Sequence, residues 1–339
     1  MIFHPGTAPL EHGGDLAAAR RLFPDAPQPF IDLSTGINPF PYPLPALPPD
    51  AFARLPDAAA QMRLADIAAR TYGAPSAAHV VPAPGTQILL PPVAALAPPG
   101  RTAILGPTYS EHARAAALAG HAVVDARTIE ELREADLAVV VNPNNPDGRV
   151  VTRERLLDLA DELERRSGIL VVDEAFMEVG PPQASVAGDV HRGNIIVLRS
   201  FGKFFGLAGL RLGFALASPD LAARLAARLG PWAVSGPAIA IAERALADAA
   251  WIDGTRRRLA QAAARLDGLL ADAGIEVLGG TSLFRLVRTP VASRLFQQLG
   301  SAGVLVRAFR EQPTWLRFRI PRDGDWHRLQ SLLATANAT

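Results

Sequence analysis

The sequence predicts an α/β protein: a large domain built on a mainly parallel sheet, joined to a smaller α+β domain. Three observations predict it. Between about residues 60 and 215, short apolar runs alternate with amphipathic helical stretches, the pattern of a parallel sheet covered on both faces. Past about residue 220, long helices rich in Ala and Arg give way to several short strand-like runs. A chain of 339 residues also has the length for about two domains, each with a real core.

In chain order, residues 1–50 are irregular and proline-rich. Within them His12-Gly13-Gly14-Asp15 precedes a helix, and Ile31-Asp32-Leu33-Ser34 forms a short strand running into Thr35-Gly36-Ile37-Asn38-Pro39. The prolines from Phe40 to Pro49 place that stretch in a surface loop. A helix over Leu64–Tyr72 leads to a strand at Val80-Val81. Pro84-Gly85-Thr86-Gln87 then opens a helix that Pro91-Pro92 kink or restart. Strands follow at Thr102–Leu105, Ala122–Asp125, Leu137–Val141, Ile169–Val172 and Ile195–Leu198, with helices at Ser110–Ala119 and Thr152–Arg166. Helices at Asp220–Leu229, Pro237–Leu246 and Trp251–Ala273 come next. Strands at Ile275–Leu278, Leu283–Val287, Val304–Arg307 and Trp315–Ile320, a helix at Val291–Ala302 and a short last helix complete the chain. The expected organisation is an arm over residues 1–35 contributing to the small domain, a large domain over 36–225 and a small domain over 226–339.

Composition narrows the function classes. Hydrophobic content of 49% and charged content of 20% belong to a soluble globular protein, and a formal net charge of +1 gives no reason to expect nucleic acid or an anionic membrane as partner. The absence of cysteine excludes disulfides and thiolate metal sites, and no metal is expected. Met1 to Leu10 hold no basic segment followed by an apolar run, so the expected location is cytoplasmic.

Chemistry concentrates just past the predicted strands, on the rim where ligands bind in open parallel sheets. Lys203, in Ser200-Phe201-Gly202-Lys203, is the only lysine, the other 33 basic residues being arginines. Arginine cannot act as an amine nucleophile, whereas a desolvated lysine can. A Schiff-base lysine with a phosphate-binding Arg211 eight residues on is therefore weighed against a surface lysine in a glycine-rich turn. Asp173, ending an apolar run, either caps a helix or pairs with an arginine, or else holds a pyridinium nitrogen protonated so that pyridoxal phosphate works as an electron sink. Asn145 is a turn residue or a donor to that cofactor's phenolate oxygen. Gly85-Thr86-Gln87 opens a helix and can offer backbone N–H groups to a phosphate, a cup that Ser200 and Arg211 would complete. Tyr109 packs in a core or stacks on the cofactor ring.

Asn-Pro-Asn-Asn-Pro-Asp-Gly (142–148), Asp173-Glu174-Ala175-Phe176 and Ser200-x-x-Lys203 with Arg211 occur in the order of the fold-type I, aspartate-aminotransferase-like pyridoxal-5'-phosphate (PLP) enzymes, which the chain resembles over about residues 80–320. The resemblance implies the PLP-dependent transferase fold type I, PLP as cofactor and a homodimer. His12-Gly13-Gly14 and Asp32–Pro43 resemble the branch that decarboxylates L-threonine O-3-phosphate in cobalamin biosynthesis, itself related to the histidinol-phosphate aminotransferases. The resemblance thus implies that decarboxylation, with a histidinol-phosphate-type transamination as alternative and a PLP-binding domain without turnover third. It assigns Arg317 to the substrate carboxylate and Arg307 to the substrate phosphate, with His12 and Asn38 as further candidates there. Two positions depart from the family pattern. Phe176 stands where many relatives carry a phenolate-binding tyrosine, and Leu55 where aminotransferase relatives often carry a tyrosine that reaches the neighbouring subunit's cofactor.

Overall fold

The computed structural model describes residues 13–336 and divides the chain into two compact units, residues 41–253 and residues 1–40 with 254–339. The division falls inside the helix Ala249–Asp272, later than the boundary expected after residue 225. Residues 236–247 stay with the larger unit because their helix, capped by the Ser235 side chain, packs on the helix Ala58–Tyr72.

The larger unit holds a seven-stranded sheet. Its strands are β2 (Val80–Ala83), β3 (Arg101–Leu105), β4 (Ala122–Ala126), β5 (Leu137–Val141), β6 (Ile169–Asp173), β7 (Ile195–Arg199) and β8 (Gly213–Leu216), where β1 (Ile31–Leu33) belongs to the smaller unit. The order is β2-β8-β7-β6-β5-β3-β4, parallel from β7 through β4, with β8 antiparallel to both its neighbours. β5, β6 and β7 are buried at every position, as a parallel sheet covered on both faces requires. Val81, Ile104, Val139, Val171, Ile196, Leu198 and Ala215 anchor the core on one side of the sheet.

The helix Ala58–Tyr72 starts six residues earlier than its apolar periodicity predicts. Asp57 accepts the Ala60 amide as N-cap, and Gly73 closes the other end in a left-handed conformation, φ 81°. The early part was hidden because its first buried residue is Leu64. The Pro91-Pro92 pair sits at the start of a fresh α segment, Leu90–Ala94, after a 3-10 turn over Thr86–Leu89, so the helix restarts there. β8 was not predicted as a strand. It is four residues long and follows a glycine-rich loop directly, too short to show a period of its own.

The smaller unit holds a five-stranded sheet, β1-β11-β12-β10-β9, with β9 (Glu276–Thr281), β10 (Phe284–Arg288), β11 (Val304–Ala308) and β12 (Trp315–Arg319). Only β1 and β11 pair in parallel, and the arm joins this unit through that pairing. One face of β12, Leu316, Phe318 and then Ile320, enters a core with Phe23, Leu33, Leu266, Phe296 and Trp326. Alternation therefore puts Arg317 and Arg319 on the opposite face. Among the described residues, no helix is long and apolar enough to cross a membrane.

Candidate active site

In the larger unit, the parallel strands end on one rim and bring Tyr109, Asn145, Asp173 and Lys203 to the loops there. Lys203 lies half-buried in the short helix Phe201–Phe204. That helix is held by aromatic packing: Phe201 stacks on Phe205 at 4.4 Å, Phe205 on Trp251 at 5.5 Å, and the Tyr42 amide donates to the Phe205 carbonyl at 2.9 Å. The Lys203 Nζ lies 6.0 Å from the centroid of the buried Phe176 ring. Phe176, the departure from the family tyrosine, therefore faces the lysine's neighbourhood.

Asp173 is buried to 5% exposure. Its Oδ1 accepts the Ala175 amide at 3.0 Å, and its Oδ2 is hydrogen-bonded to His112 Nε2 at 2.9 Å. His112, itself 4% exposed, is a partner of the acid that the sequence does not announce. The available signal was its position three residues after Tyr109, at the start of the helix Glu111–Leu118. The Tyr109 ring stands edge-on to the His112 ring, 6.1 Å between centroids. The Tyr109 hydroxyl donates to Gln87 Oε1 at 2.9 Å, and Gln87 Nε2 donates to the buried Glu111 at 2.8 Å. Burial, with the nearby Glu111 and Asp173 carboxylates, pushes the phenol up to about 12 against the pull of Arg211, so Tyr109 keeps its proton at neutral pH.

The structure gives the Gln87 side chain to this chain of bonds, which leaves only its backbone for a phosphate. Asn145 is half-buried in a loop that Asn144 fastens: the Asn144 amide donates to the Pro107 carbonyl at 3.0 Å, and the Thr108 hydroxyl donates to Asn144 Oδ1 at 2.6 Å. Asn144 thus ties the Asn145 loop to the Tyr109 loop, a role its motif alone did not reveal.

Two segments far apart in sequence, Gly85-Thr86 and Arg211, meet in the larger unit. Arg211 takes a left-handed backbone conformation, φ 54°, unusual for a residue with a side chain, and its Nη1 donates to the Ala208 carbonyl at 3.2 Å. Its guanidinium lies so close to Gly85 that a Cβ there would stand 2.8 Å from Nη2, and Gly85 itself has φ 90°. A side chain on Gly213 would likewise meet the Thr86 amide at 2.6 Å. Two glycines thus let the Gly85-Thr86 backbone and the Arg211 guanidinium close on one point. The Ser200 hydroxyl, at the head of the Lys203 helix, makes no capping bond to that helix.

In the smaller unit, Arg317 is buried, its Nη2 donates to the Ser34 carbonyl at 2.8 Å, and its guanidinium lies over the Phe284 ring at 5.2 Å. Burial foremost, and the Arg307 charge after it, bring its pKa down to about 10, with Asp32 offsetting. It remains charged at neutral pH. Arg307 is half-buried and faces Arg317 directly across β11 and β12, its guanidinium 5.6 Å from the Phe309 ring centroid. Asn38 is buried and accepts the Phe40 amide at 2.8 Å, a turn-forming bond. His12 lies outside the described residues, but Gly13 and Gly14 do not. A side chain on Gly13 would collide with the Ser34 carbonyl, and the Gly14 amide donates to Ser34 Oγ at 2.8 Å. The two glycines of that motif therefore pack on the residue that holds Arg317.

This rim lysine, buried acid and cationic cradle sit in a chain that matches the aminotransferase class I and II family over residues 48–331. The chain belongs to that enzyme family. Two relatives of nearly the same length are named threonine-phosphate decarboxylase. The one from Sinorhizobium sp is 44% identical, over 97% of this chain and 98% of its own, and the one from Pseudomonas aeruginosa is 43% identical, over 96% and 97%. A histidinol-phosphate aminotransferase from Mycobacterium tuberculosis is 37% identical over 62% of this chain and 59% of its own. Among solved structures, the histidinol-phosphate aminotransferase of Sinorhizobium meliloti, in complex with pyridoxal-5'-phosphate, superposes with a TM-score of 0.81 at 22% identity, covering 99% of this chain and 96% of its own. L-threonine-O-3-phosphate decarboxylase of Porphyromonas gingivalis does so with 0.74 at 23% identity, covering 91% and 99%. Both share the fold.

Proposed function

We propose that the chain is a PLP enzyme that decarboxylates L-threonine O-3-phosphate to (R)-1-aminopropan-2-yl phosphate in cobalamin biosynthesis, as a cytoplasmic homodimer. The observation that carries the substrate is the full-length identity to two relatives named for that reaction, against shorter and weaker matches to histidinol-phosphate aminotransferases. The larger unit's residues suit the cofactor: the Gly85-Thr86 backbone and the Arg211 guanidinium meet at one point, which favours a phosphate there, and Ser200 would complete the cup. Bound PLP supplies a sink for the electron pair that departing CO₂ leaves behind.

The chain's own residues then divide the work. Lys203 would hold PLP covalently, and its amine would supply the proton at the substrate Cα. Asp173, fixed by His112 and the Ala175 amide, would hold the proton on the pyridine nitrogen. Asn145 would donate to the cofactor's phenolate oxygen, and the Tyr109 ring, oriented through Gln87, would stack against the cofactor. Arg317 orients the substrate carboxylate and Arg307 anchors the phosphate, with His12 and Asn38 as further contacts. The carboxylate must leave its arginine during the reaction, whereas the phosphate is held throughout, so the grip that sets affinity belongs on the phosphate.

A homodimer is supported by four large apolar side chains exposed between residues 44 and 62: Leu44, Phe52, Leu55 and Met62. Assay of purified protein loaded with PLP tests the function. Release of CO₂ from threonine phosphate without any keto-acid acceptor is expected. A requirement for 2-oxoglutarate with histidinol phosphate would replace the reading by transamination, and a coloured protein inert to every amine would replace it by cofactor binding alone.

A further inference from the structure

On the face of the smaller unit's sheet that carries Arg317, the next outward residue along β12 is Arg319. It is 6% exposed, and its Nε is buried with no hydrogen-bond partner among the described residues. Its backbone pairs with Phe284, whose ring lies beneath the Arg317 guanidinium, so the two arginines border one aromatic floor. Asp32 on β1 acts on both cations, but its Oδ1 already accepts the Ser34 amide at 2.9 Å and the Ser34 hydroxyl at 2.6 Å. Asp325 also pulls on Arg319 and Arg322 pushes against it.

A buried cation with an orphaned N–H destabilises a fold unless a ligand offsets its desolvation. In purely structural terms, a leucine or methionine would serve better at this position. Two residues along a strand are about 7 Å apart, so an anion on Arg319 is a second group, separate from a carboxylate on Arg317. A phosphate monoester, with up to two charges and three acceptor oxygens, suits a planar fork of donors.

We propose that Arg319 is a further substrate-binding residue that grips the substrate's phosphate and sets the preference for phosphorylated over unphosphorylated amino acid. This rests on the function proposed above, and it has its own test.

Arg319→Met keeps the volume and removes the cation. In the PLP-loaded enzyme it should weaken threonine phosphate by about 10- to 100-fold through KM. Threonine, measured as a ligand, should change by less than about threefold, within the range of a neutral contact. The Tm of the ligand-free variant should hold or rise by about 2–4 °C, because a buried orphan is gone. Arg319→Lys, which restores a charge without the fork, should recover part of the affinity. Arg319 would be structural, and the proposal overturned, if Arg319→Met lowered the Tm and weakened both ligands alike, or if Arg319→Lys behaved as wild type with Arg319→Met equally unaffected.

Should the wild-type enzyme leave threonine phosphate unreacted, the function falls but the anion grip is still decided by thermal shift. O-phospho-L-serine should then stabilise the wild type more than L-serine does, and Arg319→Met should shrink the difference, Arg307 keeping the remainder. An undiminished difference in the variant overturns the grip.

Discussion

Lys203 is the only side chain that can serve as an amine nucleophile, because the sequence contains no second lysine. Its helix is too short to stand alone, and the Phe201, Phe205 and Trp251 stack holds it in place. That packing predicts a clean result. Borohydride reduction of the PLP-loaded protein should place all of the label on the one peptide containing Lys203. Lys203→Ala should lose the visible absorbance of the bound cofactor while keeping its Tm within a few degrees, since the side chain is only half-buried. Lys203→Arg should be as inactive as the alanine variant, because a guanidinium stays protonated and cannot act as an amine. Label found only on the N-terminal amine would remove Lys203 from the role.

The two strands that deliver the acid and the lysine are locked to each other beneath the rim. Glu174, directly after Asp173, is fully buried and pairs with Arg199, directly before Ser200, at 2.8 Å. Glu174 also accepts the Ser185 hydroxyl at 2.7 Å and the Val186 amide at 2.9 Å, and a second carboxylate, Glu178, lies 3.9 Å from Arg199. Burial pushes the Glu174 carboxyl above its usual range, and Arg199 pulls it back down. Arg199→Met should therefore destabilise the protein by about 3–5 kcal/mol, measured by urea unfolding, because a buried charge loses its partner. A carboxyl whose folded pKa is raised favours the folded state at low pH and loses that contribution as pH climbs through the folded value. The penalty should accordingly be smaller near pH 5 than near pH 8, and adding Glu174→Gln should recover most of it. A penalty that ignores pH would mean that lost packing, not charge, is the cause. None of this lock was legible in the sequence. Glu174 and Arg199 meet across neighbouring strands, as His112 meets Asp173 across 61 positions and Asn144 meets Thr108 across 36. The rim was legible, because five-residue apolar strands announce where they end, and whatever follows each one must share that edge. Partners joined through space leave no such spacing.

At the level of the whole molecule, one stretch of the surface is apolar. Phe52 and Leu55 are 70% and 67% exposed, in a short helix and the turn after it, with Leu44 and Met62 nearby in the chain at 66% and 67%. Four large apolar side chains exposed within nineteen residues suit a surface that is covered in the assembled protein, and a second copy of the chain is the occupant we assign. Leu55 stands where the family resemblance implies a residue reaching the neighbouring subunit, so the proposed homodimer would have this stretch at its contact. If so, a carboxylate there must be desolvated without a partner on association, while the isolated chain is indifferent to it because the site is exposed. Phe52→Asp combined with Leu55→Asp should weaken self-association by at least about 100-fold, read by sedimentation velocity across a dilution series. The wild type should sediment at twice the chain mass throughout the micromolar range, and the variant should dissociate within it while retaining the far-UV circular dichroism of the folded chain. A wild type that sediments as a single chain at every concentration, or a variant that dimerises as tightly as wild type, would place the exposed stretch outside any subunit contact.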